Sequence, residues 1–134
     1  MINYAEILAK QPNGVLATLE GQAIKTRVFQ FLFAEGNKAY FCTGSGKPVY
    51  DQLKANPTVS FCSQGEFSPV LSINGKAVFA NTMELKQRAF DENPMLATIY
   101  NSPENPIFNI FYIQVEEVAT FGFAEGPKVY KVSL

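Results

Sequence analysis

Short apolar runs bounded by glycine, proline or asparagine follow one another along this chain, and few of them show helical spacing. That pattern predicts strands over 15–19 and 23–33, joined at Glu20-Gly21, and one over 39–43 that pairs back through a turn at Glu35-Gly36-Asn37. Strands are again expected over 58–62, 70–80, 107–115, 119–124 and 128–132. Within 70–80, Asn74-Gly75 has two readings: a type I′ hairpin, which the dipeptide favours, or a bulge in one long, bent strand. Asn3 can cap a short helix with Ile7 and Leu8 about one turn from Tyr4, stopped by Pro12-Asn13-Gly14. Pro48 suits the first turn of a second helix, which carries Val49 and Leu53 and must stop before Asn56-Pro57. Thr82 can cap a third over 83–92, and Asn93-Pro94 starts a further turn through Tyr100.

So many strands with such short helices predict a mainly β, α+β architecture: a closed or nearly closed antiparallel barrel with helical additions. Two runs are unusual. Val28-Phe29-Gln30-Phe31-Leu32-Phe33 and Ile107-Phe108-Asn109-Ile110-Phe111-Tyr112-Ile113 carry large apolar groups on both faces, where a half-exposed strand would alternate. Each buried phenylalanine is worth roughly 1.5–3 kcal/mol, so the second face needs a cover. The helices look too short to supply it all, which predicts a second copy of the chain and a symmetric dimer with an apolar interface. The alternative is that both strands are central in the core of a single chain.

Composition narrows the function. At 134 residues and 47% hydrophobic, the chain reads as one domain over 1–134 with a core that needs no metal or disulfide. A net charge of −1, with no basic stripe, argues against nucleic acid as a partner. Cys42 and Cys62 lie in apolar runs without C-x-x-C spacing, as buried thiols of a reducing compartment do. There is no secretory signal pattern and no run of about 18 apolar residues, so a cytoplasmic protein without a membrane partner is expected. The absence of histidine removes the usual catalytic triads and most zinc sites, and no metal is expected.

The stretch that carries chemistry is Thr43-Gly44-Ser45-Gly46-Lys47-Pro48, a strand end that turns into a helix. A nucleotide-hydrolysing P-loop would need glycine at 41 and Ser or Thr at 48, where Phe41 and Pro48 stand. The dinucleotide pattern G-x-G-x-x-G fails at Val49. What remains is a set of hydroxyls from Thr43 and Ser45, amides freed by the glycines such as Gly46, a helix start and Lys47, which together suit one phosphate dianion. A plain turn is the competing reading.

The order of elements adds to this. A strand with Arg27, a hairpin, Tyr40-Phe41-Cys42-Thr43, the glycine turn, Lys47 and a short helix ending in Asn56-Pro57 resembles the flavin mononucleotide-binding split β-barrel family, the pyridoxamine 5′-phosphate oxidase-like proteins. Ile73-Asn74-Gly75-Lys76-Ala77 looks like that family's later Ile-x-Gly-x-Ala strand, which favours the bulge. The resemblance implies an antiparallel split barrel and FMN as cofactor. In it Arg27 faces the flavin phosphate, Val28 and Phe29 line the ring, and Thr43, Ser45, Gly46 and Lys47 complete the phosphate and ribityl contacts. It also implies a homodimer with the cofactor at the interface and a partner wall around 70–72. Departures are Pro48 in place of a second cation, Val70 and Ser72 where many relatives place tryptophan and arginine, and no histidine to hold a pyridoxal substrate. Pyridoxamine phosphate oxidation is therefore not expected. The leading reading is a flavin-dependent oxidoreductase acting on a small molecule, with no catalytic residue singled out. The alternatives are a protein that holds flavin or haem for storage or sensing without turnover, and a deazaflavin binder, whose acidic tail would call for more cations than Arg27 and Lys47.

Overall fold

The structure, a computed structural model, describes residues 2–66 and 69–132. Its elements run α1 (Tyr4–Lys10), β1 (Asn13–Glu20), β2 (Ala23–Gln30), β3 (Phe33–Glu35), β4 (Lys38–Gly44), α2 (Pro48–Ala55), β5 (Thr58–Ser63), β6 (Val70–Phe79), α3 (Met83–Glu92), α4 (Leu96–Tyr100), β7 (Phe108–Gly122) and β8 (Gly126–Lys131). The caps are where the sequence puts them. Asn3 Oδ1 accepts from the Glu6 amide at 3.2 Å, Thr82 Oγ1 accepts from the Leu85 amide at 3.2 Å, and Pro48 occupies the first turn of α2, where no amide is needed.

All strand pairs are antiparallel, in the order β2-β1-β5-β6-β7-β4-β3, with β8 added to β7. The two ends of that order, β2 and β3, are consecutive in the chain and separated only by Phe31 and Leu32. Two residues cannot cross a flat sheet whose strands lie about 4.8 Å apart, so the sheet must curl until its ends meet. It does not close. No ladder joins β2 to β3; instead the Phe31 amide donates to Pro12 O at 2.8 Å and the Leu32 amide to Tyr40 O at 3.0 Å. This is a split barrel, and the run 23–33 is broken where the expected single strand has to turn the corner.

A second correction concerns β7. The two strands expected over 107–115 and 119–124 are one, long enough to pair with β4 in its first half and β8 in its second while β6 follows it throughout. Opposite β6 the register slips: Asn74 faces Glu117 and Gly75 faces Val115, which leaves Glu116 as an extra residue. Asn74-Gly75 is therefore a bulge and not a hairpin. A Cβ on Gly75 would lie 1.9 Å from Gln114 O, so the strands can approach this closely only at a glycine.

The extra residue changes which side chains of β7 face inward. Phe111, Ile113 and Val115 join the main core with Leu16, Phe41, Phe61 and Ile73, closed by Leu8 of α1 and Leu53 of α2; beyond the bulge Val118 takes over. Phe108 and Ile110 point the other way, into a second cluster with Phe33, Tyr40, Ala89, Leu96 and Tyr100. The second face of this strand is thus covered by α3 and α4 of the same chain, and the expectation that these helices are too short does not hold for it. Apolar surface remains at Val28, 73% exposed, and Ile99, 66% exposed. No described helix is long and apolar enough to cross a membrane.

Candidate functional site

Beside the split, the end of β2, the end of β4, the start of α2 and the turn of α4 converge on a cleft of about 180 Å³. Val28, Phe29, Cys42, Lys47, Ile99 and Tyr100 are among its walls. Phe29 is fixed from behind by edge-on contacts with Phe41 and Phe111, at ring-centre distances of 6.3 and 5.8 Å, whereas Val28 alternates outward. Lys47 is the N-cap of α2; it has no ion-pair partner among the described residues and supplies the cleft's one full charge.

Of the seven residues singled out from the sequence, Val28, Phe29 and Lys47 meet in this cleft. Thr43, Ser45 and Gly46 form the adjoining turn without lining it. The amides of Ser45 and Lys47 are already engaged, donating to Ile107 O at 2.9 Å and Gly44 O at 3.1 Å. The turn therefore offers fewer free donors than its glycines imply. Gly46 is its open corner: a Cβ there would meet nothing within 4 Å. Thr43 is the reverse, 1% exposed, with a buried hydroxyl that has no partner among the described residues. An unpaired buried hydroxyl costs about 1–3 kcal/mol, a cost that an added acceptor or donor at the turn would relieve.

Arg27 lies outside the cleft's walls. Its Nη1 donates to Leu16 O at 3.2 Å and Thr18 Oγ1 at 2.8 Å, and its Nη2 to Gln52 Oε1 at 2.6 Å. Partial burial draws its pKa down from the ordinary value, because lost water disfavours the cation, yet the guanidinium stays charged.

Sequence reasoning missed Cys42, Asn93 and the residues of α4. Cys42 carried a signal, since it stands next to Thr43 on a strand whose alternation sends the two to opposite faces. The α4 residues carried none, because their distance in sequence from Lys47 is closed only by the packing of α3 and α4 onto β7. Burial pushes the Cys42 thiol up to about 12, with Lys47 pulling the other way, and pushes the Tyr100 hydroxyl up to about 12, with Cys42 adding to the rise. Both groups are neutral at physiological pH.

An apolar cleft with one cation at a helix start fits a planar ring carrying an anionic tail. Its volume is smaller than the roughly 300–1,000 Å³ of sites that enclose such ligands. Fold and cleft together define a split β-barrel with an open cleft beside the split. The chain belongs to the pyridoxamine 5′-phosphate oxidase family, whose model matches residues 2–122. Among solved structures it is similar to a NimC/NimA family protein from Clostridium acetobutylicum, at TM-score 0.85 and 24% identity over 95% of this chain and 88% of that one. It is similar also to General Stress Protein 26 from Bacillus anthracis, at TM-score 0.81 and 20% identity over 95% and 94%. A heme binding protein from Mycobacterium smegmatis matches at TM-score 0.75 and 18% identity over 93% of this chain and 55% of that one. At these identities the likeness is one of fold. No curated protein matches the sequence.

Proposed function

We propose that this protein binds flavin mononucleotide in the cleft beside the split and serves as a flavin-dependent oxidoreductase for a small molecule. The observation that carries the reading is the convergence of the neighbouring Val28 and Phe29 of β2 with Lys47 at the start of α2 on one apolar cleft with a single cation. Val28 and Phe29 would flank the ring, and Lys47 with the turn from Thr43 to Gly46 would hold the phosphate. The flavin supplies hydride and electron transfer; the chain supplies position, an apolar surround and a charge for the tail. Because one chain leaves Val28 and Ile99 open at the cleft, we place a second copy over this edge, so that the site is completed in a homodimer. Membership of the pyridoxamine 5′-phosphate oxidase family, in which flavin is a common cofactor, supports the cofactor class.

Haem, named for the M. smegmatis neighbour, fits less well. The chain has no histidine, and the cleft offers only Cys42 and Tyr100 as axial ligands in its place.

The purified protein is expected to be yellow or to take up FMN, and to bleach with a reduced nicotinamide or another hydride donor. Lys47→Ala should weaken FMN binding by about 1.5–3 kcal/mol, the worth of a charged hydrogen bond. A colourless protein that refuses FMN overturns the cofactor; a yellow one inert to every donor leaves a flavin carrier; unchanged affinity in Lys47→Ala moves the phosphate elsewhere.

A further inference from the structure

Arg27 is half-buried and held in a network whose members have no place in the cleft. Thr18 is 1% exposed and Gln52 5% exposed. Thr18 Oγ1 donates to Gln52 Oε1 at 2.6 Å and accepts from Arg27 Nη1 at 2.8 Å, while Arg27 Nη2 donates to the same Gln52 oxygen at 2.6 Å. The Gln52 amide cannot turn over without loss, because its Nε2 donates to Glu20 Oε2 at 3.0 Å. One edge of the guanidinium is therefore gripped by two oxygens side by side, and Leu16 O takes a further Nη1 proton.

A guanidinium has five N–H donors. Three are used here, and Nε–H with the second Nη2–H, which lie along the opposite edge, have no acceptor among the described residues. Two parallel donors on a rigid fork match the oxygens of a phosphate or carboxylate. Gln52 also lies on α2, one turn beyond Lys47, so it ties the strand that carries one cation to the helix that carries the other.

We infer that Gln52 is a positioning residue for the anionic end of the site: with Thr18 it clamps one edge of Arg27, which precedes Val28 on β2 just beyond the residues that line the cleft, and leaves the other edge ready for an oxyanion. This rests on the flavin reading above. It assigns the discrimination between flavins with and without a phosphate to a glutamine that touches neither.

The test compares FMN with riboflavin, which lacks the phosphate, on wild-type protein, Gln52→Leu, Arg27→Gln and the double variant; Gln52→Met replaces the leucine variant if that one fails to fold. Gln52→Leu should lower FMN affinity about tenfold or more, the loss expected when a charged hydrogen bond is misaligned, and change riboflavin affinity by less than about twofold. Combined with Arg27→Gln it should add nothing further. Equal losses for both ligands, additive losses in the double variant, or unchanged FMN affinity would overturn the positioning role. The clamp is also read without any flavin: the Arg27 Nη–H nuclear magnetic resonance signals should be resolved in the wild type and averaged by bond rotation in Gln52→Leu. Averaged signals in the wild type would overturn the clamp. Resolved signals in a wild type that binds neither flavin would remove the cofactor reading, and the positioning role with it, on separate grounds.

Discussion

The two halves of β7 are built from similar residues and end up in different surroundings. In the first, Phe108, Ile110, Phe111 and Ile113 are all fully buried, the even-numbered pair beneath α3 and α4 and the odd-numbered pair in the barrel core. In the second, Val118 is buried but Phe121 is 47% exposed, and Phe123, just past the strand, is wholly exposed. The bulge at Gly75 and Glu116 separates the halves and reverses which residues look inward. A strand that is apolar on both faces needs two covers, and this chain's helices supply the second cover for only half of it. The half they cover is the one that pairs with β4, whose Cys42 lines the cleft.

The comparison can be broken first at its hinge. Gly75→Ala sets a side chain against the Gln114 carbonyl, a backbone group that cannot swing aside; it should cost more than about 4 kcal/mol or prevent folding, as measured by thermal unfolding. A variant of near-normal stability would mean that the strands separate easily here. Next, Phe108→Ala should cost about 3–5 kcal/mol in urea unfolding, because Phe108 fills the space between Phe90 and Tyr100, whose rings lie 5.1 and 4.8 Å away. A loss below about 1 kcal/mol would show that α3 and α4 are a loose cover.

A smaller effect should appear in alkali. The Tyr100 hydroxyl is raised by burial to about 12 in the folded chain against an ordinary 10.0. The neutral form is thus the one that folding favours, and the stability linked to it is intact below pH 10 and lost as pH climbs through about 12. Tyr4, which donates to Gly36 O at 2.8 Å and is likewise raised to about 12, behaves the same way from the α1 side. Tyr100→Phe should therefore flatten the fall in stability between pH 10 and 12 without abolishing it; an unchanged slope would place Tyr100 in water. The smallest change is expected from Phe121→Ser in the uncovered half, about 1 kcal/mol or less in the isolated chain. A loss as large as that of Phe108→Ala would mean that a partner covers Phe121 in solution.

The candidate site was legible to the extent that it was local. Lys47, with Pro48 behind it and glycines before it, announces a helix start from neighbouring residues alone, and it stands where expected. Val28 and Phe29 could be placed on a strand, and at the flavin ring, by their run of apolar neighbours and by the resemblance. Arg27 could not be assigned its contacts, since Thr18 and Gln52 reach it across two other elements. Nor could the amides of Ser45 and Lys47 be known to be engaged, because the Ile107 carbonyl that takes one of them arrives from the far end of the chain.

Caps, turns and the succession of strands follow from short-range chemistry: Asn3 and Thr82 satisfy amides three residues on, Pro48 needs no partner, and Gly36 turns with φ of 57° where a side chain would be strained. Those effects act within a few residues and are written into the order of the amino acids. The curl of the sheet, the merging of two expected strands into β7, the covering of one of its halves and the grip on Arg27 depend on which distant surfaces come into contact. Burial and steric fit across the sheet decide among arrangements that local preference leaves equal.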